Sequence, residues 1–399
     1  MAATLLVLVL PAPASALVDM PTDPSFPGNG WSSKIGWTPP ENDVGYPVIA
    51  VVDTGLWAGF DDFAGYLDDE SGDCAGSNGT VRRMVHPTDV DDLDPGVHGT
   101  KVATLAAAPA NGKGSVGVSP NSHLIVVRVT TDNDSFALKC AFNYLAGVAA
   151  AQPLVVNVSS EFARAPDRAT QVALDRLITA GALVVAAAGN TKGGPVQWPA
   201  SADHVLAIGR DDGAGARGSK LDLVAPGANL LLPEANGQWK IGAQGTSFSS
   251  PIVAGAAARV WGPLPVDNPQ VVTYLLRKFA KQQSKGTGFG LVNIVMAIAG
   301  AKKLPRIDES EPNDKTQTAQ AKKGCTRTCT LRGLVASTDD RTDFWRLSGR
   351  GRCPKGKLKT TGGVSANCFR VTGRGGGTFV KVETTKRLGL GLYTVNVPR

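Results

Sequence analysis

Four polar residues of this 399-residue chain have the types and settings that acyl transfer through a serine nucleophile requires. Each ends an apolar run or opens a helical pattern: Asp53 in VIAVVD, His98 in VHGTKVATLAAA, Asn190 in AAAGN and Ser247 in GTSFSSPIVAG. Taken singly, each has a simpler explanation, because histidines are often structural, asparagine favours turns and serine is a common helix N-cap. Only their combination indicates chemistry.

These residues have complementary chemical roles. A serine hydroxyl becomes an effective nucleophile when a neighbouring base removes its proton, and His98 can serve Ser247 in this way. A buried carboxylate such as Asp53 holds the imidazole tautomer and stabilises the imidazolium that forms. The Asn190 side-chain amide and the Ser247 backbone N–H can donate to the oxyanion of the tetrahedral intermediate. We therefore predict a triad of Asp53, His98 and Ser247 with Asn190 in the oxyanion hole.

The Asp53-Thr54-Gly55 motif has a second interpretation, because aspartic peptidases place a catalytic aspartate in the same tripeptide. That chemistry needs a partner carboxylate from a second such motif or from a dimer mate. The chain contains no second Asp-Thr-Gly or Asp-Ser-Gly, and its 399 residues exceed the length of the small dimeric type. We expect Asp53 to orient His98 without contacting substrate.

Strand-like and helix-like patterns alternate between residues 47 and 300. The apolar runs include VIAVVD, LIVVRV, LVVNV, LVVAAAGN and VLAIG, with helical patterns such as FALKCAFNYLAGVAAA and ATQVALDRLITAG between them. Continuous apolar strands separated by helices predict an α/β fold with a parallel sheet covered on both faces. Functional groups of such folds lie at the carboxyl ends of strands, where Asp53 and Asn190 stand. The acidic, irregular residues 63–97 are interpreted as a surface loop.

The order Asp, His, Ser and the surrounding motifs resemble those of the subtilisin-like (subtilase) serine peptidases over about residues 20 to 300. The four principal motifs match family motifs, as do GVSPNSHLIVVRV, VVNVSS, WPAS, VLAIG and DLVAPG. The resemblance implies a subtilisin-like fold and a secreted, monomeric serine endopeptidase that acts on polypeptides. It also implies that the chemistry requires no cofactor.

Departures from the family pattern fall on the expected substrate-binding segments. The resemblance assigns substrate binding to the segment that begins at the serine of NVS and to a segment within AAAGN, which contain Ser159, Ser160, Glu161, Ala188 and Gly189. Family members usually have small residues and Gly after NxS, whereas this chain has Ser160, Glu161 and Phe162. We expect Glu161 either to narrow the pocket for P1, the residue before the scissile bond, or to favour a basic P1 residue. Val97 also replaces the Gly that usually precedes the histidine.

Metal binding is considered at one position. Asp62, nine residues after Asp53, falls where many subtilases hold a calcium ligand, so the resemblance makes it a candidate ligand for structural calcium. A solvated aspartate is the favoured interpretation. No Cys and His cluster has zinc spacing, since all four histidines precede residue 205 and four of the six cysteines follow residue 324.

The amino terminus and the cysteines predict secretion. MAATLLVLVLPAPASALVDM has an apolar stretch before Ala14-Ser15-Ala16, which is typical of a signal peptide over residues 1–16. No other segment approaches the ~20 apolar residues of a membrane span. An even number of cysteines in a secreted chain predicts disulfides. We expect Cys74 to pair with Cys140, and three pairings stay open among Cys325, Cys329, Cys353 and Cys368.

Charge divides the chain into two units. Residues 301–399 have a net charge of +13 and residues 1–300 a net charge of −6. We predict an N-terminal arm over 17–46, a peptidase domain over 47–303 and a small all-β domain over 304–399. The last region resembles the prepeptidase C-terminal β-sandwich through Glu311-Pro312-Asn313-Asp314 and Asp343-Phe344-Trp345.

Two other functions are consistent with parts of the sequence. The chain could be a catalytically impaired subtilase-fold binding protein, since the substrate segment around Glu161 is unusual. The basic C-terminal region could instead bind a surface or a polyanion, although a solvated basic face is the favoured explanation. No specific nucleic-acid partner is predicted. All four principal catalytic groups are present, which favours the peptidase.

Overall fold

A computed structural model describes residues 20–304 except 43, 77–78, 131–134, 163–166, 265–267 and 284–285, together with strand segments after residue 319. The predicted signal peptide over residues 1–16 lies outside these residues. A short helix in the N-terminal arm, α1 (Ser32–Ile35), precedes the first strand. No helix within the described residues is both long and apolar enough to cross a membrane.

An eight-stranded sheet forms the centre of the described part of the chain. Its strands are β1 (Val48–Asp53), β2 (Gly72–Asp73), β3 (Arg82–Arg83), β4 (Leu124–Arg128), β5 (Leu154–Val158), β6 (Leu183–Ala187), β7 (Leu206–Arg210) and β8 (Leu223–Ala225). The spatial order is β3-β2-β4-β1-β5-β6-β7-β8, and every neighbouring pair is parallel except β2 with β3. The mostly parallel sheet predicted from the apolar runs is confirmed.

Helices cover both faces of this sheet. They are α2 (His98–Ala107), α3 (Ser135–Ala149), α4 (Arg168–Thr179), α5 (Thr246–Trp261), α6 (Pro269–Phe279) and α7 (Ile294–Ala301). Alternate residues of β1 pack on opposite sides: Ile49 and Val51 join the core with α2, α5, α6 and α7, whereas Ala50 and Val52 join the core with α3 and α4. Both sides are apolar, which explains why the strand sequences lack polar alternation.

A hairpin and a disulfide complete this region. The hairpin pairs β9 (Ala228–Pro233) with β10 (Trp239–Gln244) just before the start of α5. Cys74 and Cys140 form a disulfide that ties the chain after β2 to α3, so this predicted pairing is confirmed. The predicted surface loop over 63–97 is only partly one, because β2 and β3 extend the main sheet.

Strands also occur in the C-terminal region. They are β11 (Gln320–Lys322), β12 (Thr328–Ala336), β13 (Thr342–Leu347), β14 (Lys359–Thr360), β15 (Val364–Val371), β16 (Gly377–Thr384) and β17 (Leu390–Pro398). Assignment of this region to a prepeptidase-like β-sandwich stays a prediction. The side chains of its four cysteines lie outside the described residues.

Candidate active site

The predicted site residues converge on the carboxyl-terminal edge of the sheet. Asp53 is the last residue of β1, Ser159 directly follows β5, and Asn190 is the third residue after β6. His98 opens α2, and Ser247 is the second residue of α5. Because neighbouring parallel strands end at the same edge, residues far apart in sequence are brought to one site.

Asp53 and His98 form a direct hydrogen bond. His98 Nδ1 lies 2.7 Å from Asp53 Oδ1, and the Asp53 side chain is only 2% exposed. A carboxylate accepts, so we assign the proton of neutral His98 to Nδ1, which leaves Nε2 as the basic nitrogen. Burial of the ring lowers the pKa of His98, but the charge and hydrogen bond of Asp53 and the charges of Asp94 and Asp92 outweigh it, so the pKa is raised.

The turn after β1 packs tightly against the start of α2. A Cβ atom on Gly99 would lie 2.2 Å from the carbonyl oxygen of Gly55, so only glycine fits beside His98. Val97, which precedes the histidine, has a φ of 49°, a left-handed conformation that is costly for a β-branched residue. The backbone N–H of His98 donates to Asp94 Oδ2 at 3.0 Å, and this bond caps the helix start.

Asp92 links the Asp53 turn to the His98 helix. Its carboxylate accepts from the Thr54 hydroxyl at 2.6 Å and from the hydroxyl and backbone N–H of Thr100 at 2.8 and 2.9 Å. The Thr54 hydroxyl oxygen in turn accepts from the Gly99 N–H at 2.9 Å. Burial raises the pKa of Asp92, and these hydrogen bonds offset part of the shift. No sequence pattern singles out Asp92, because DVDDLDPG has the composition of a solvated loop.

Ser247 exchanges hydrogen bonds with Ser159 at the end of β5. The Ser247 hydroxyl donates to the Ser159 carbonyl at 3.0 Å, and the Ser159 hydroxyl donates to the Ser247 carbonyl at 2.8 Å. A hydroxyl has one hydrogen, so in this arrangement the Ser247 proton is directed at Ser159. The ring of Phe248, the next residue, packs against the His98 imidazole with centroids 5.5 Å apart. The residue that follows Ser247 therefore contacts the His98 ring.

A buried polar chain holds Ser159 in place. Asn157, inside β5, donates from Nδ2 to the Ser159 hydroxyl at 2.9 Å, and its Oδ1 accepts from the Ser250 hydroxyl at 2.7 Å. These bonds join β5 to the first turn of α5, which carries Ser247. Sequence reasoning assigned no role to Asn157 or Ser250, although a polar residue inside the apolar run LVVNV was a visible signal.

Asn190 has an orientation suited to donating a hydrogen bond. Its Oδ1 accepts from the backbone N–H of Thr246 at 2.9 Å and lies 3.3 Å from the Thr246 hydroxyl. This pattern assigns the carbonyl end of the amide to Thr246, so the Nδ2 end is directed away from it. The N-terminus of α5 adds a positive potential at the same place, since Ser247 is its second residue.

The predicted substrate-binding residues form two segments beside Asn190. Ser159, Ala188 and Gly189 are buried, whereas Ser160 and Glu161 are partly exposed. Glu161 Oε2 accepts from the backbone N–H of Asn190 at 2.8 Å, which brings the two segments together.

Asp62 is buried, so the favoured interpretation of a solvated aspartate was wrong. Its side chain is 1% exposed because the short helix Asp61–Phe63 packs under the chain around Ser115. Oδ2 accepts from the Ser115 N–H at 3.3 Å, while Oδ1 is buried without a partner. Burial raises the pKa of Asp62 to about 7. An unpartnered carboxylate oxygen fits a calcium ligand, although the described residues contain no group of three acidic, His or Cys side chains that could hold a metal ion.

Comparison with known proteins identifies a family. Residues 46–295 match the model of the subtilase family of peptidases. An alkaline protease from Alkalihalobacillus alcalophilus is 33% identical over 215 residues, which are 52% of this chain and 56% of that protein. Subtilisin Savinase from Lederbergia lenta is 32% identical over 215 residues, with 52% of this chain and 79% of that protein covered. The alignment therefore spans little more than half of the alkaline protease.

Solved structures show the same fold. A protease from Pseudoalteromonas arctica superimposes with a TM-score of 0.55 at 24% identity, and the match covers 71% of this chain and 100% of that one. The epidermin leader peptide processing serine protease from Staphylococcus aureus gives a TM-score of 0.53 at 22% identity, with 65% of this chain and 76% of that one covered. At this level of identity the likeness concerns the fold.

Proposed function

The chain belongs to the subtilase family of serine peptidases, and we propose that it is a secreted endopeptidase that uses Asp53, His98 and Ser247. The observation that carries the proposal is the 2.7 Å bond between His98 Nδ1 and Asp53 Oδ1, at the sheet edge where α5 presents Ser247. A buried carboxylate bonded to the inner imidazole nitrogen leaves the outer nitrogen free to act as a base.

Acylation begins when a peptide carbonyl lies against Ser247. The Ser247 hydroxyl turns from the Ser159 carbonyl towards His98, whose Nε2 takes its proton as Oγ attacks the carbonyl carbon. Asp53 stays ionised and stabilises the imidazolium. Asn190 Nδ2 and the Ser247 N–H donate to the oxyanion. When the intermediate collapses, His98 gives the proton to the leaving amine, and an ester on Ser247 remains.

Deacylation repeats these steps with water as the nucleophile. His98 Nε2 removes a proton from water, which attacks the ester carbonyl, and the same donors stabilise the second oxyanion. The proton then returns to Ser247 Oγ as the peptide acid leaves. None of these steps requires a cofactor.

Calcium, where bound, would be structural. Asp62 would hold it through the unpartnered Oδ1 and would supply the negative charge that burial otherwise disfavours. The ion would neutralise this carboxylate within the fold and would take no part in the chemistry.

The Cys74–Cys140 disulfide supports an extracellular location, because disulfides persist in oxidising compartments. Polypeptides are the proposed substrates, and a monomer is the proposed oligomeric state.

The alternative function, a catalytically impaired binding protein, is not favoured, since the four principal groups are present in the chain. Binding of a surface or polyanion by residues 304–399 stays a secondary proposal.

Labelling of the nucleophile tests the proposal. A fluorophosphonate probe should modify the full-length protein at Ser247, and the Ser247→Ala variant should not be labelled. The matched control is Ser249→Ala, which changes a serine two residues along the same helix that donates to the Ala225 carbonyl. Ser247 would be excluded as the nucleophile if Ser247→Ala were still labelled, whether or not Ser249→Ala lost its labelling.

A further inference from the structure

The space for the P1 side chain lies between two segments beside the oxyanion hole. In the proposed reaction the scissile carbonyl carbon contacts Ser247 Oγ, and its oxygen faces the Asn190 amide. The P1 residue then lies over the Ser159 carbonyl, which is 3.0 Å from Ser247 Oγ. Its side chain must enter the gap between residues 159–161 and residues 188–190.

Two long side chains converge on that gap. Glu161 Oε2 accepts from the Asn190 N–H at 2.8 Å, so its carboxylate spans from one segment to the other. A Cβ atom built on Gly189 would lie 3.0 Å from this oxygen, 3.1 Å from Gln197 Cγ and 3.3 Å from Gln197 Cδ. The glutamate and the glutamine therefore occupy the same face of Gly189, from two directions.

The backbones that carry these side chains are fixed to each other. The Phe162 N–H donates to the Trp198 carbonyl at 3.0 Å, and the two rings pack with centroids 5.2 Å apart. The Gln197 N–H donates to the Ala188 carbonyl, also at 3.0 Å. Phe162 follows Glu161 and Trp198 follows Gln197, and Gln197 itself is bonded to Ala188. The gap therefore cannot widen without breaking these backbone hydrogen bonds.

We propose that Glu161 and Gln197 fill the P1 pocket and restrict cleavage to bonds that follow small residues such as glycine, alanine and serine. This inference rests on the proposed peptidase function and names its substrate class. A bulky P1 side chain would have to displace Glu161 from the Asn190 N–H. That displacement would break the hydrogen bond that the side-chain oxygen of residue 161 accepts from the Asn190 N–H, and a glutamine oxygen can accept the same bond.

Selection of the P1 residue by its volume can be distinguished experimentally from selection by its charge. If the carboxylate attracted a cationic P1 residue, removal of its charge at constant size would abolish the preference. If the side chains exclude bulk, only their shortening should matter. Glu161→Gln and Glu161→Gly separate the two effects, and Gln197→Gly tests the second side chain.

The experiment measures kcat/KM of the full-length protein on blocked tetrapeptide p-nitroanilides that differ only at P1, which is alanine, phenylalanine or lysine. The alanine substrate should exceed the phenylalanine substrate by about tenfold or more, the scale on which pockets discriminate by size. The double variant Glu161→Gly/Gln197→Gly should lower this ratio by about tenfold or more. Glu161→Gln, which conserves volume, should leave it within about twofold.

Several results would overturn the inference. These are a native preference for phenylalanine, a native preference for lysine that Glu161→Gln removes, and an alanine to phenylalanine ratio that the double variant does not change. Fluorophosphonate labelling of each variant provides the check on folding and on the nucleophile. Labelled variants with an unchanged ratio would defeat only this inference, whereas absence of labelling in the native protein would defeat the proposed function.

Discussion

The imidazole of His98 lies beside one bonded carboxylate, Asp53, and near two others, Asp92 and Asp94. Their charges raise its pKa against the opposing effect of burial. The neutral imidazole is the proposed catalytic base, so activity increases as pH rises through this pKa. A raised pKa therefore places the acid limb of the kcat/KM profile at higher pH than an ordinary histidine would. Asp92→Asn should move this limb to lower pH, because one negative charge near the ring is removed while the side chain keeps its size.

The measurement is the pH dependence of kcat/KM for the native protein and for Asp92→Asn. Asp203→Asn is the matched control, since Asp203 is exposed and pairs with Lys220. The control should leave the acid limb unchanged. An identical acid limb in the native protein and Asp92→Asn would contradict the contribution of Asp92.

Residue identities at this site were largely predictable, whereas several contacts were not. Asp53, His98, Asn190 and Ser247 stand in recognisable local patterns, because the chemistry restricts residue type at the ends of strands and the starts of helices. Asp92 lies in a loop with no such pattern, and its role depends on hydroxyls contributed by two other elements. Burial of Asp62 likewise depends on the chain around Ser115, more than fifty residues away.

Between elements, the contact most important for the site joins β5 to α5. Asn157 is fully buried and connects Ser159 with Ser250, so Asn157→Ala would leave the Ser250 hydroxyl without its acceptor and would remove the donor to the Ser159 hydroxyl. Loss of such a buried partner costs about 1–3 kcal/mol. We expect the free energy of unfolding to fall by about this amount, and kcat to fall as well, because Ser159 and Ser247 are held by the same chain of bonds.

A double-mutant cycle checks this coupling. The free energies of unfolding of Asn157→Ala, Ser250→Ala and the double variant are measured by urea denaturation. The double variant should lose less stability than the sum of the single variants, because both substitutions remove the same hydrogen bond. Strictly additive losses would show that the two residues act independently.

Strands and helices were predictable where their sequence pattern is long. The five apolar runs became β1, β4, β5, β6 and β7, since continuous β-branched sequence suits strands buried on both faces. The two-residue strands β2 and β3 carry no periodic signal, and they were interpreted as part of a loop. Their pairing depends on the edge of β4, a tertiary contact that local sequence does not encode.

At the scale of the whole molecule, the buried carboxyl group of Asp62 links stability to pH. Its pKa is raised to about 7 in the folded protein, so the folded state binds this proton more tightly than the unfolded chain does. Stability is therefore lost as pH rises from about 4, the value expected when unfolded, towards 7. Calcium bound to the ionised carboxylate would restore stability above pH 7, because it binds the folded state.

Thermal unfolding tests this linkage. When a chelator is present, raising the pH from 5 to 8 should lower the Tm of the native protein. The decrease should be smaller for Asp62→Asn, whose side chain mimics the protonated acid. Calcium added at pH 8 should raise Tm of the native protein but not that of Asp62→Asn. Asp61→Asn is the control, since the neighbouring Asp61 is exposed and pairs with Lys113, and it should keep both responses. Equal pH and calcium responses in all three proteins would contradict a role for Asp62.

The most direct test of the triad compares kcat for peptide hydrolysis by Ser247→Ala, His98→Ala and the double variant. In subtilisin, a family member, loss of either residue costs roughly 10⁶ in kcat, and the losses do not add because both residues act in one proton transfer. Losses of this size are therefore expected here, with the double variant no worse than either single variant. Near-native kcat in a single variant, or a double loss equal to the product of the single losses, would contradict the triad.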